Sequence, residues 1–143
     1  MSPQLDWFIN EVLRYYPSIP FMVRQVAADV ELERLSLKKG GIIIISVIGV
    51  HHHQDYWKDA DRFDCGRSEF VENVYDRRAF IPFSSGIRSC GGAKLARLEL
   101  TEGLKAFIRS FVVKRQGDDI SFDYVMAMRP SSWERVTISR RAG

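Results

Sequence analysis

The chain of 143 residues has few cysteines and no long apolar run, and both shortages exclude whole classes of protein. Its two cysteines, Cys65 and Cys90, provide no disulfide framework and are typical of a protein in a reducing compartment. A run of 18 apolar residues and a signal peptide are both missing, so the sequence predicts no membrane span. We therefore expect a cytoplasmic protein, unless a preceding segment changes its location.

Runs of basic residues are also missing, although lysine and arginine (21) slightly outnumber aspartate and glutamate (18). Without such a run we expect no nucleic-acid partner. The sequence contains no internal repeat, low-complexity tract or interdomain linker. With 45% hydrophobic and 27% charged residues it is typical of a globular protein, and its length predicts a single domain over residues 1–143.

Apolar spacing predicts two long helices. The first has Ser2 as a candidate N-cap, places Pro3 at its first position and stops before Pro17. The second follows Gly92, and its polar residues lie on other faces than its apolar stripe. The stripe consists of Ala96, Leu100, Leu104, Phe107, Ile108 and Phe111.

Apolar segments with alternating or continuous patterns predict strands between and after these helices. The predicted strands lie at residues 30–33, 35–37, 42–45, 112–115, 120–126 and 134–138. Residues 42–45 are apolar throughout, as in a strand that is buried on both faces. Residues 51–82 have little periodicity and predict a long, largely irregular stretch. The predicted fold class is α+β.

Cys90 precedes two glycines and the start of the second predicted helix. The free N–H groups and the partial positive charge at a helix N-terminus stabilise a thiolate. A single thiolate cannot form a tetrahedral zinc or iron–sulfur site, but it can be the one protein ligand of a haem iron. The alternative is a buried free cysteine beside a flexible loop, as most intracellular cysteines are.

The segment around this cysteine resembles the haem-ligating loop of the cytochrome P450 family, whose pattern is Phe-x-x-Gly-x-Arg-x-Cys-x-Gly followed by Ala and Glu. The matching residues are Phe83, Gly86, Arg88, Cys90, Gly92, Ala96 and Glu99. The resemblance implies that Cys90 is the axial ligand of the iron in haem b, and that Arg88 pairs with a haem propionate. Phe83 would shield the sulfur from water, and Gly86 and Gly92 would allow special backbone angles or a close approach of the macrocycle.

A second motif of the same family, Glu-x-x-Arg, lies on the first predicted helix. Glu11 and Arg14 are three residues apart and share one helix face. In the family this pair joins an arginine from the long loop in a buried ionic network. The resemblance gives Arg67 as the third member and leaves Arg62 as an alternative. Both prolines and the final aromatic residue of the family's loop pattern are replaced here, one proline by Cys65.

The resemblance also assigns residues to the cofactor, the substrate and a redox partner. Arg24 is placed to contact a propionate, with a strand-edge arginine as an equal alternative. Residues 19–22 and the turn at 125–128 would line an apolar pocket for the substrate, or else form plain core. Lys94 and Arg97 would lie near the proximal face of the haem, where a ferredoxin or flavoprotein reductase could dock; a solvated basic helix face is the alternative.

Three consecutive histidines, His51, His52 and His53, suggest a different function as a metal site. Neighbouring residues on an extended chain point to alternate sides, whereas zinc needs three or four converging ligands. The cytochrome P450 family, moreover, often has a histidine at the position of His51. A histidine-based metal enzyme therefore remains a third functional hypothesis that rests on these residues alone.

The resemblance covers residues 5–140 but only the C-terminal portion of the family's fold. We expect the N-terminal part to be absent from this chain, together with the central helix whose acidic residue and threonine serve oxygen activation. The leading hypothesis is a monooxygenase that inserts one oxygen atom of O₂ into an apolar organic substrate. The alternative is a truncated haem-binding module without turnover of its own. In both cases, surfaces meant to pack on the missing part predict an exposed apolar patch and poor solubility.

Overall fold

A computed structural model describes residues 3–116, 121–124, 127–131 and 135–141. Its α-helices within these ranges are α1 Pro3–Tyr15, α2 Val47–His51, α3 Ser68–Val71 and α4 Ala93–Ser110. Its strands are β1 Phe21–Gln25, β2 Val30–Leu32, β3 Leu35–Leu37, β4 Ile42–Ser46, β5 Phe111–Gln116, β6 Phe122–Tyr124, β7 Met128–Pro130 and β8 Arg135–Arg140.

The strands of the described residues pair as four separate two-stranded antiparallel sheets, β1 with β4, β2 with β3, β5 with β8 and β6 with β7. The predicted α+β class is therefore confirmed. The strand predicted at residues 112–115 falls within β5, and the one at 134–138 overlaps β8. The strand predicted at 120–126 contains β6, and part of it lies outside the described residues.

Helix α1 forms where the apolar spacing predicts it. Asp6 in its first turn and Arg14 in its last turn both suit the helix dipole. The buried face combines the apolar Ile9 and Leu13 with the charged Glu11 and Arg14, which is the first sign of a buried ionic site. Ser2, the predicted N-cap, lies outside the described residues.

Strand β4 leads directly into the short helix α2, which the sequence did not predict. Ser46 ends the strand and caps the helix, because its Oγ accepts a hydrogen bond from the amide of Gly49 at 3.0 Å. Helix α2 buries Val47 and His51. The short helix therefore carries the first of the three histidines into the core.

The prediction that residues 42–45 form a strand buried on both faces is wrong. Ile42 and Ile44 are 62% and 68% exposed. Val23, which pairs with Ile44 across the sheet, is exposed as well. The reason is that β4 pairs only with β1, and none of the described elements covers this face of the pair.

Residues 51–82 are mostly turns, as predicted, and α3 adds a single helical turn. An aromatic cluster holds them together. Trp57 and Phe70 are buried with ring centroids 5.3 Å apart, and Tyr75 stacks on Trp57 at 6.0 Å. Packing of this kind fixes a long irregular segment without regular hydrogen bonding.

Helix α4 follows the cysteine loop, but its apolar stripe is largely uncovered by the described residues. Thr101 is its buried residue, whereas Leu100, Phe107 and Ile108 are exposed. The helix packs against α1 and then continues into β5. Its N-terminus is thereby fixed next to Cys90.

Candidate functional site

The loop from Phe83 to Cys90 closes on itself directly before α4. The amide of Cys90 donates to the carbonyl oxygen of Phe83 at 2.8 Å. Between these residues, Gly86–Arg88 form a 3₁₀ turn. Ser84 and Gly86 have φ angles of +65° and +69°. Because the left-handed region is unfavourable for a residue with a side chain, Ser84 carries the local strain of the loop.

The exposed thiol of Cys90 lies on a cleft of about 320 Å³. Most of the other lining residues are apolar, namely Leu13, Ile19, Met22, Val47, Ile81, Pro82 and Phe83, and the polar ones are Ser18, Ser84 and Arg88. Helix α4 begins three residues after the cysteine, so its free N–H groups lie close to the sulfur in sequence. The cleft therefore combines a mostly apolar wall with one sulfur donor at a helix N-terminus.

The two glycines assigned to the loop differ in their backbone conformations. Gly86 is left-handed, and a Cβ added there would meet no atom within 4 Å. Gly92, the N-cap of α4, has a φ of −87°, which any residue can adopt. A Cβ at Gly92 would lie 3.8 Å from the Cys90 sulfur, an ordinary contact. The backbone angle therefore requires a glycine only at position 86, and open space in front of the loop remains at that point.

The two predicted propionate ligands differ in their relation to the cysteine loop: Arg24 contacts the loop from β1, and Arg88 is part of it. Arg24, on β1, donates through Nη2 to the hydroxyl of Ser84 at 3.2 Å. Arg88 is exposed and lines the cleft with Cys90. Two cations, one sulfur donor and an apolar wall match the donor set that a haem with two carboxylates would need.

Phe83 and Arg97 are in contact, which the sequence did not indicate. The Arg97 guanidinium lies 5.7 Å from the centre of the Phe83 ring, and its Nη1 donates to Oδ1 of Asn10 at 2.8 Å. Arg97 thus ties α4 to α1 and to the cysteine loop, and it is half-buried. Lys94, the other residue assigned to partner docking, is exposed.

The structure brings Glu11, Arg14 and Arg67 together in a fully buried cluster. Arg14 donates through Nε and Nη2 to the two oxygens of Glu11, at 2.7 and 2.9 Å. Arg67 does the same, at 2.9 and 3.2 Å. The amide of Asp64 adds a fifth hydrogen bond at 2.8 Å. One carboxylate therefore binds two guanidiniums, each in a two-pronged geometry.

Backbone carbonyls from the long irregular stretch satisfy the remaining guanidinium N–H groups. Arg14 Nη1 donates to the carbonyls of His51 and Ala60, at 2.7 and 2.9 Å. Both arginines donate to the carbonyl of Arg62, at 3.2 Å from Arg14 and 2.6 Å from Arg67. The alternative assignment, in which the Arg62 side chain is the third member, does not fit: Arg62 is exposed and contributes its carbonyl.

His51 is a buried residue of the site, for which the sequence suggested only the metal-site hypothesis. Its Nδ1 lies 3.1 Å from the carbonyl oxygen of Arg14, and its Nε2 accepts the amide of Ile81 at 2.9 Å. Burial lowers the pKa of His51 to about 4, so the ring is neutral at neutral pH. The signal that could have found it was the family's frequent histidine at this position, but the run of three histidines pointed to metal binding instead.

The other two histidines point to different partners. His52 contacts the carbonyl oxygen of Tyr15 at 3.1 Å, and His53 accepts the amide of Asp55 at 3.3 Å. Among the described residues, no group of three histidine, cysteine or acidic side chains could hold a metal ion. The geometry therefore gives no support to a histidine-based metal site.

The predicted substrate-contacting segments are placed in part. Ile19 and Met22 line the cleft with Cys90. Of the turn at 125–128, residues 125 and 126 lie outside the described residues, and the amide of Met128 donates to the carbonyl of Ser18 at 2.8 Å. This bond holds Met128 next to the residue that precedes the first segment. None of the helices in the described part of the chain is long and apolar enough to cross a membrane.

Comparison with known proteins identifies one family over most of the chain. A family model described as "Cytochrome P450" matches residues 2–133. Among curated proteins, the probable cytochrome P450 4s3 of Drosophila melanogaster is 38% identical over 109 residues, which are 76% of this chain and 22% of the relative. Cytochrome P450 4p1 of the same species is 34% identical and covers 96% of this chain. Human cytochrome P450 4V2 is 30% identical over 141 residues.

Solved structures give the same result for the fold. The retinoic acid-bound cyanobacterial CYP120A1 superposes with a TM-score of 0.89 at 25% identity, covering 97% of this chain and 33% of that one. The cytochrome P450DA heme domain superposes with a TM-score of 0.86 at 21% identity, over 31% of its length. The chain thus spans about a quarter of the curated relatives and a third of the solved structures that it matches.

Proposed function

Because the chain belongs to the cytochrome P450 family, we propose that it is the C-terminal haem-binding portion of a haem-thiolate monooxygenase, with Cys90 as the axial ligand. The observation that carries the proposal is the exposed sulfur of Cys90, on an apolar cleft at the N-terminus of α4. Bound haem would supply the redox-active iron that lets such enzymes use O₂. The residues present fit this group in donor type, charge and open space.

The chain's own residues would hold and insulate the cofactor. Cys90 would donate its sulfur as a thiolate, stabilised by the N–H groups at the start of α4. Arg88 and Arg24 would pair with the propionates. Phe83 would keep water from the sulfur, and the left-handed Gly86 leaves the space in front of the loop free of a side chain. Glu11, Arg14 and Arg67 would fix the scaffold and take no part in the chemistry.

The substrate and the electron donor follow from the same proposal. Ile19 and Met22, on the wall of the cleft, would contact an apolar organic molecule. Electrons would come from an acidic ferredoxin or flavoprotein reductase that docks near the exposed Lys94. Arg97 would contribute less to docking, because Asn10 and Phe83 already engage its guanidinium.

A second candidate is a haem-binding module without turnover. The observation that favours it is the apolar surface left uncovered by the described residues, which includes Ile42 and Ile44 on β4 and Phe107 and Ile108 on α4. The relatives are about four times as long as the matched segment, so a further part of the same fold would cover this surface. In this view the chain needs that part, in the same or another polypeptide, to catalyse a reaction.

Haem reconstitution tests the proposal. We expect the chain with added haem, reduced under carbon monoxide, to give the strongly red-shifted Soret band of thiolate ligation. Cys90→Ala should abolish this band, whereas Cys65→Ala, at the other exposed free cysteine, should leave it unchanged. A band that survives Cys90→Ala would contradict the ligand assignment. If the band depends on Cys90, product formation with a reductase distinguishes the monooxygenase from the module without turnover.

A further inference from the structure

His51 lies between the buried ionic cluster and the segment that leads into the cysteine loop. Its Nδ1 is 3.1 Å from the carbonyl oxygen of Arg14, and the amide of Ile81 donates to its Nε2 at 2.9 Å. A carbonyl can only accept and an amide N–H can only donate. The ring is therefore the neutral tautomer with its proton on Nδ1, and both nitrogens are used.

Each end of this bridge continues by hydrogen bonds. On one side, Arg14 Nη1 donates to the carbonyl of His51 itself at 2.7 Å, so residue 51 contacts Arg14 twice. On the other side, the carbonyl oxygen of Ile81 accepts a hydrogen bond from the amide of Ser84 at 3.0 Å. The amide of Cys90 in turn donates to the carbonyl oxygen of Phe83, the neighbour of Ser84. Ile81 and Cys90 line the same cleft. A short, continuous set of contacts thus joins the ionic cluster to the loop.

We propose that His51 is a positioning residue, which fixes through the Ile81 amide the point where the cysteine loop leaves the core, and thereby fixes the position of Cys90. The importance of that position rests on the proposed function of Cys90 as a ligand. The placement of the loop itself is a property of the chain and can be measured without haem.

The neighbouring histidines provide a matched control. His53 is exposed, and among the described residues its ring accepts a hydrogen bond only from the nearby amide of Asp55. A change at His53 therefore alters the same histidine run without touching the loop. For His51, glutamine is the conservative variant, because its carbonyl oxygen can accept a hydrogen bond as Nε2 does. Alanine removes the acceptor and leaves the Ile81 amide unpaired.

Hydrogen–deuterium exchange and cysteine alkylation, both read by mass spectrometry on the haem-free full chain, test the proposal. In His51→Ala we expect exchange in the peptide around Ile81 to accelerate about fivefold to tenfold. The peptide around Val26, whose amide bonds to Gly41 at 2.9 Å, should keep its rate. The alkylation rate of Cys90 relative to Cys65 should change as well. His51→Gln should keep most of the parental behaviour in both measurements. His53→Gln should show neither effect.

Several results would overturn the proposal. One is an Ile81 peptide that exchanges at the parental rate in His51→Ala, and another is acceleration shared equally by the Val26 peptide. A chain that unfolds with either His51 variant but folds with His53→Gln would show a global structural role instead. After haem addition, His51→Ala should also lose more of the red-shifted Soret band than His53→Gln. If the parent chain shows no such band, the proposed function fails while the exchange result still decides the role of His51.

Discussion

Replacing Glu11 by glutamine tests the buried ionic cluster most sharply. The substitution keeps the shape of the side chain but removes the negative charge that is hydrogen-bonded to both Arg14 and Arg67, two buried cations. The carboxylate of Glu69 lies 3.8 Å from Nη1 of Arg67 and remains in the variant. The carboxylate accepts five hydrogen bonds, four from guanidinium N–H groups and one from the amide of Asp64. A glutamine has one carbonyl oxygen, and its NH₂ group would face a guanidinium donor.

The expected cost is about 3–5 kcal/mol, because removing one partner of a buried ion pair leaves charge without compensation. That is a large part of the free energy of unfolding of an ordinary domain, about 5–15 kcal/mol. Urea unfolding followed by tryptophan fluorescence gives the measurement. Glu102→Gln is the control, since Glu102 pairs with Lys105 on the exposed face of α4 and should give no measurable change. If the two variants lost the same stability, the reasoning about burial would be refuted.

Three further predictions concern stability and association. His51 has a pKa of about 4 in the folded chain against 6.5 in the unfolded chain, so the unfolded chain binds more protons between these values and the free energy of unfolding falls as the pH falls through that window. Urea unfolding at pH 7 and pH 5 should show a loss of about 2 kcal/mol in the parent chain that is absent in His51→Gln. Equal losses in both proteins would contradict this. Trp57→Ala should cost about 3–5 kcal/mol in the same assay, because the indole is buried among aromatic rings, and a cost below about 1 kcal/mol would show that the cluster is not core. The isolated chain should self-associate in size-exclusion chromatography, and the double change Ile42→Lys and Ile44→Lys should reduce this; a stable, compact parental monomer would contradict the role of the exposed strand face.

Local features of the fold could be predicted where the signal lay in adjacent residues. The helix ending before Pro17 and the helix after Gly92 follow from apolar spacing and terminal residues, and both formed as predicted. The environment of residues 42–45 could not be predicted in this way. An apolar run indicates that a strand prefers to be buried. Whether another layer covers the strand depends on other parts of the fold, which the run itself does not reveal.

Part of the site could be predicted from the sequence for a similar reason. The Cys90 loop and the Glu11–Arg14 pair have fixed spacing, so a resemblance identified them directly. The role of the Arg62 carbonyl could not be predicted, because every residue has a backbone carbonyl and the residue type does not indicate what it accepts. Likewise, the contact of Arg97 with Phe83 joins residues of two elements, and their sequence separation gives no hint of it.

X-ray absorption at the iron edge of the haem-loaded chain tests the central claim most directly. If Cys90 is the axial ligand, the iron should show one sulfur neighbour in the parent chain and in Cys65→Ala, and none in Cys90→Ala. An iron environment of nitrogen and oxygen alone in the parent chain, or a sulfur neighbour that remains in Cys90→Ala, would contradict the account.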